Sequence, residues 1–205
     1  MGGSGVNRSL QFAKFLPSYG YTPIVLTITE EDIAGEKNIF DYSLLKELPA
    51  EIQIVRCPTL EPRTFKKQMM RFRIYRFFWF FFFPLFWETS ALWSRSAFRS
   101  AKKIIKENDI DIIYTSSGPF SSILLGWRIK RQLNVKWVAD LRDPYSDGYM
   151  WQWPSKLHWF FCRLLEKYFL NKPDVLVVTT PEMKKRFHNR GVALKNEIVV
   201  INNGY

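Results

Sequence analysis

Val135–Tyr145 reads VKWVADLRDPY, and this stretch decides the fold. Its first half, Val135-Lys136-Trp137-Val138-Ala139, has the β-branched and aromatic content of a short buried strand. Its second half packs Asp140, Arg142 and Asp143 together and stops at Pro144. Proline cannot continue a central strand, so the charges belong at the strand's C-terminal edge. In open α/β sheets, ligands bind outside that edge. Two readings follow: a carboxylate–guanidinium–carboxylate site, or a structural knot of ion pairs.

Downstream, the same alternation continues. Asp174–Thr179 (DVLVVT) reads as a strand, and Thr180-Pro181-Glu182 as a helix start, with a capping hydroxyl, a proline and an acid in the first turn. Glu197–Ile201 reads as a last strand. Between these strands, Pro154–Leu170 reads as a helix with Leu157, Phe161, Leu164, Leu165 and Tyr168 on one stripe. Tyr149, Trp151 and Trp153 populate the loop before it; they suit stacking on a sugar ring, contact with lipid, or plain packing. Upstream, Ile110–Tyr114 is a strand, Thr115–Pro119 a turn of small residues, and Phe120–Gln132 a helix. Strands alternating with helices across short loops imply a parallel α/β sheet, Rossmann-like, with helices on both faces.

The N-terminal half carries the same signals less regularly. Gly2-Gly3-Ser4-Gly5 precedes a helix read over Asn7–Tyr19 and closed by Gly20. A glycine-rich turn feeding a helix suits a phosphate, and it equally suits a flexible tail. Pro23–Ile28 (PIVLTI) is an apolar run of the kind covered on both faces. A polar loop over 30–37, a short helix over 40–48 and a strand over 52–55 follow.

Arg63–Trp87 breaks the pattern. Arg71, Arg73 and Arg76 lead into FFWFFFFPLFW, which includes Phe77, Phe78, Trp79, Phe80, Phe81, Phe82 and Phe83. A bilayer-spanning helix needs about 20 apolar residues, so this run is too short to cross. It suits one leaflet, with the arginines at the headgroups. The other reading is a buried core helix. Glu88–Asn108 then reads as an amphipathic helix with Arg95, Arg99, Lys102, Lys103 and Lys106 on its polar side.

Over 205 residues the net charge is +11 and aromatic content 17%, which favours an anionic partner: lipid, nucleic acid or a phosphorylated small molecule. Cys57 and Cys162 lie far apart and read as reduced thiols. No secretory signal is read at the N-terminus. His158 and His188 lack metal-ligand spacing, and no metal is expected.

GGSGVNRS, LPSYGYTPIVLT, TSSGPFSS, VKWVADLRDPY, VVTTPEM and VINNGY occur in that order. Together they resemble the N-terminal domain of GT-B fold retaining glycosyltransferases, glycosyltransferase family 4-like. The resemblance implies two Rossmann-like domains with the active site between them, and no cofactor beyond the nucleotide-sugar donor. It implies that residues 1–205 form the acceptor-side domain, with a membrane-associating insertion about 63–107. The first strand and the C-terminal donor domain are expected to lie outside the chain, leaving this fragment alone inactive. It places Asp143 and Arg142 near the transferring sugar, and Gly2, Gly3, Ser4, Gly5 and Arg8 in a donor-phosphate loop. Ser116, Ser117, Gly118, Asp140 and Tyr149 would bind the acceptor, a lipid-linked sugar or glycan, and Asp140 would pair with Arg142 as an alternative. The expected setting is polysaccharide biosynthesis at the inner, cytoplasmic face of the cell membrane, on an anionic surface, with no nucleic acid. The competing reading is a non-catalytic basic module that binds membrane or nucleic acid.

Overall fold

The computed structural model of the chain describes residues 4–33, 43–59, 93–118, 120–147, 153, 155–193 and 196–204. The aromatic run, Arg71, Arg73, Arg76, Gly2, Gly3, Tyr149 and Trp151 lie outside them, and so do the roles expected of those residues.

Four strands form one parallel sheet in sequence order: β3 (Ile112–Ser117), β4 (Lys136–Leu141), β5 (Val175–Val178) and β6 (Glu197–Val200). Each crossover carries one helix: α4 (Ser121–Gln132), α5 (Lys156–Leu170) and α6 (Pro181–Asn189). Thr180 caps α6 as its sequence implies, accepting from the Met183 amide at 3.1 Å. Odd-numbered residues of β4 (Trp137, Ala139, Leu141) join Leu176, Val178, Phe187 and Leu170 in the main core. Even-numbered residues face the opposite side, where α1 (Ser4–Phe15) lies: Phe12 of α1 stacks on Tyr114, with ring centroids 4.9 Å apart. Helices thus cover both faces of a parallel sheet, as the alternation implied.

β1 (Ile24–Ile28) and β2 (Gln53–Cys57) pair in a separate two-stranded parallel sheet. A one-turn helix, α2 (Glu30–Ile33), takes up the described part of the expected polar loop; Thr29 Oγ1 donates to Asp32 at 2.5 Å and shapes it. The expected burial of PIVLTI on both faces does not hold: all five β1 residues are only half-buried. The strand is paired along one edge among the described residues, and one helix, α3 (Trp93–Glu107), covers it. α3 packs its Trp93, Ala97, Ala101 and Ile105 stripe against Leu26, Ile28 and Val55, and reaches Ile113 of β3. Among the described residues no helix is long and apolar enough to cross a membrane.

Other boundaries shift for identifiable reasons. β3 runs through Ser116 and Ser117, because its ladder with β4 continues to the Ser117–Leu141 pair. Of the described residues in the expected turn, Gly118 lies beyond the strand, at φ +123°, a conformation glycine adopts without strain. Gly126 lets α4 sit directly on Trp137; a Cβ there would meet the indole at 2.4 Å.

α5 turns most of its apolar stripe outward. Leu157, Phe161, Leu164 and Tyr168 are exposed, while His158, Cys162, Glu166 and Leu170 are buried on the opposite side. Glu166 sets that rotation. It accepts from the Tyr145 and Ser146 amides at 2.6 and 3.2 Å, and from Arg190 at 2.8 Å. Burial, helped by the Glu166 charge, pushes the Cys162 thiol up to about 12, so it stays protonated at neutral pH.

Asp174 braces the start of β5. It takes Lys130 Nζ at 2.6 Å and the Trp137 amide at 2.7 Å. Burial alone would raise its carboxyl, but the Lys130 bond, the Trp137 amide and the Lys136 charge outweigh it, and the pKa falls below the usual 3.8. A lowered carboxyl stabilises the fold above its unfolded pKa and loses that contribution as pH falls. The stability gap between the parent and Asp174→Asn is therefore expected to be constant from neutral pH to about pH 5, then to close on further acidification. Urea titrations across that range measure it; a gap that holds or widens in acid contradicts the assignment.

Candidate functional site

The C-terminal ends of β3, β4, β5 and β6 define one edge of the sheet, and α1 is tied to it. The tie is Arg8. It lies in the second turn of α1, is 8% exposed, and grips Asp140 with two bonds: Nε to Oδ2 at 2.8 Å and Nη2 to Oδ1 at 3.0 Å. Arg8 Nη1 also donates to the Asn202 carbonyl at 3.1 Å and the Asn203 side chain at 3.4 Å, beyond the end of β6. Tyr114 Oη donates to Asp140 Oδ2 at 2.5 Å. Burial, then the bond to anionic Asp140, drives the Tyr114 phenol far above its usual range, so it remains a donor.

Asp140 itself is 0% exposed and lies inside β4, not beyond it. Strand alternation sends it to the α1 face. The expected pairing of Asp140 with Arg142 is therefore replaced by Asp140 with Arg8, and Asp140 presents no surface to an acceptor. Ser4 and Gly5 are also placed differently: α1 begins at Ser4, so both belong to its first turn and not to a preceding loop.

Arg142 turns the other way. Its Nε donates to the Ser117 carbonyl and its Nη2 to the Gly118 carbonyl, both at 2.9 Å. Thr179, just past β5, donates to the Arg142 carbonyl at 2.9 Å. Arg142 is thus held from β3 by its side chain and from β5 by its backbone. Among the described residues the rest of its N–H fork makes no further bond.

Asp143 comes next and is exposed. Two residues on, the Tyr145 and Ser146 amides are fastened to Glu166. Asp143 therefore stands between two anchored points with its carboxylate directed to solvent, and no bond to it is seen among the described residues. Ser116 is half-buried, with its carbonyl taken by Ser122 Oγ at 2.8 Å; Ser117 is buried, and Gly118 is exposed. Trp153 is no free stacking platform. Its indole N–H donates to the Ser146 carbonyl at 2.9 Å, and its ring lies edge-on to Tyr145.

Sequence reasoning missed Tyr114, Asn202 and Asn203 around Arg8, and the Glu166–Arg190 pair behind Asp143. Asn202 and Asn203 stand within the quoted VINNGY; the others carried no local signal. Among the described residues no cluster of His, Cys, Asp and Glu is arranged to hold a metal ion.

Comparison with curated proteins gave no significant match. Among solved structures the chain resembles sucrose-phosphate synthase from Thermosynechococcus elongatus, with a TM-score of 0.59 and 15% identity over 100% of this chain. That match shows a shared fold, and the chain spans 43% of the synthase's length. The family model described as Glycosyltransferase Family 4 matches residues 5–205. A match over nearly every residue, on a parallel α/β fold with its charged groups gathered at one sheet edge, settles the family: the chain belongs to Glycosyltransferase Family 4.

Proposed function

We propose that residues 1–205 form the acceptor-side domain of a retaining glycosyltransferase. It moves a sugar from a nucleotide-sugar donor to a membrane-linked or polysaccharide acceptor in building the cell envelope. A second domain, which binds the nucleotide sugar, completes the cleft. The carrying observation is Asp143: an exposed carboxylate held at the C-terminal sheet edge, with anchored Arg142 beside it. Such a carboxylate orients an acceptor hydroxyl or takes its proton. The spare N–H groups of Arg142 attract the donor diphosphate as charge develops on it. Ser117 and Gly118 shape that corner through their carbonyls. Buried Arg8 and Asp140 act as positioning residues that bring α1 to the same edge. The basic and aromatic residues of about 63–107 dock the domain on the inner leaflet, where a lipid-linked acceptor resides.

Membranes from cells that make the whole gene product, supplied with labelled nucleotide sugars, test the activity through label gained by the lipid or glycan fraction. Asp143→Asn is expected to lower that rate about a hundredfold or more without changing thermal stability, because the side chain is exposed. Full rate in a folded Asp143→Asn variant removes the residue from the chemistry.

A further inference from the structure

The exposed side of α5 is apolar and basic at once. Leu157, Phe160, Phe161, Leu164 and Tyr168 are each between 44% and 62% exposed and fall on one helical stripe. That stripe is about 16 Å long at 1.5 Å per residue. Lys156 and Lys167 are exposed along one flank, and Arg163, half-buried, lies over the Trp159 ring at 4.6 Å. Just past the helix, Lys172 lies over the Tyr168 ring at 4.6 Å. The only acid on α5 is Glu166, on the buried side and bonded to Arg190. A depression of about 280 Å³ opens beside the stripe between Trp159, Phe160, Arg163, Leu164, Lys167 and Arg190.

Large exposed aromatics in a row are a cost in water and a gain at a bilayer interface. Lysines and arginines along the margin select a negative surface, and the acid beside the depression, half-buried Asp147, is already engaged by Arg190 and the Trp159 indole. We propose that the α5 face is a docking surface for an anionic bilayer. The stripe seats at the acyl boundary, and a headgroup phosphate enters the depression between Arg163 and Lys167. The inference rests on the membrane part of the function proposed above, and it needs nothing from the aromatic run.

Vesicle co-sedimentation of the full chain tests it, using phosphatidylglycerol–phosphatidylcholine vesicles against pure phosphatidylcholine. Two double variants are compared with the parent: Phe160→Ser with Leu164→Ser, and Arg163→Glu with Lys167→Glu. Each is expected to lower partitioning onto the anionic vesicles about tenfold or more. Unchanged thermal midpoints show that the variants remain folded. A third variant, with serine throughout 77–83, separates the two membrane surfaces. Retention of an α5-dependent component in it supports the proposal. Parent-like binding by both α5 variants overturns it, whatever the 77–83 variant does. Failure of the parent to bind any vesicle overturns it together with the membrane part of the proposed function. If light scattering shows a parent dimer that the α5 variants split, with vesicle binding unchanged, the face belongs to a second copy and the proposal is overturned.

Discussion

Glu166→Ala is expected to lower the unfolding free energy by about 3–5 kcal/mol, the usual range when one partner of a buried ion pair is removed. Glu166 is 0% exposed and accepts from the Tyr145 amide, the Ser146 amide, Ser146 Oγ and Arg190. Removing it leaves two backbone donors without their acceptor and takes one of two carboxylates from the Arg190 guanidinium. Arg190 keeps Asp147, at 2.9 Å, as its remaining acidic partner. Glu166→Gln retains an oxygen acceptor and is expected to lose less. Urea denaturation gives the size of the change; hydrogen exchange at Tyr145 and Ser146 gives its place, because those amides should become the fastest to open. A loss under about 1 kcal/mol in Glu166→Ala shows that water replaces the network, and that the rotation of α5 is set elsewhere.

The second large effect is expected at the opposite face. Arg8→Met keeps much of the side-chain volume but strips Asp140 of its cation, leaving a buried carboxylate with Tyr114 as its one side-chain donor among the described residues. The expected loss is again about 3–5 kcal/mol. The double variant Arg8→Met, Asp140→Leu separates charge from packing. Replacing a whole buried pair by apolar residues is often neutral, so the double should recover most of the loss. If it is as unstable as the single, the pair is not what fastens α1. The same double variant bears on function: a stable fold with impaired transfer identifies Arg8 and Asp140 as positioning residues, because neither would touch a substrate.

These two residues show where sequence reading stops. The alternation of strands and helices was legible because its signals are local: apolar runs such as DVLVVT, and the Thr180-Pro181 cap. The position of Arg142 and Asp143 at a strand's C-terminal edge was legible from Pro144. The partner of Asp140 was not, because it is 132 residues away in sequence. Three charges adjacent in the chain looked like one group, yet the strand's pleat turns Asp140 to one face and the end of the strand releases Arg142 toward β3. On α5, periodicity grouped the apolar residues on one stripe but did not say which side faces the core. The choice was made instead by a glutamate whose cation, Arg190, lies in a different crossover. Ser116 and Ser117 looked like turn residues by composition, and only pairing with β4 makes them strand.

The bond from Arg8 to the Asn202 carbonyl spans 194 residues, so it also orders events in time. Closing so long a loop is entropically costly until the intervening crossovers are built, and this contact therefore belongs to the late side of the folding barrier. Weakening it should leave the rate of folding nearly untouched and show up as faster unfolding. One guanidinium would then act as a latch on the native state's lifetime, and the detachment of α1 would be the first step by which the domain comes apart.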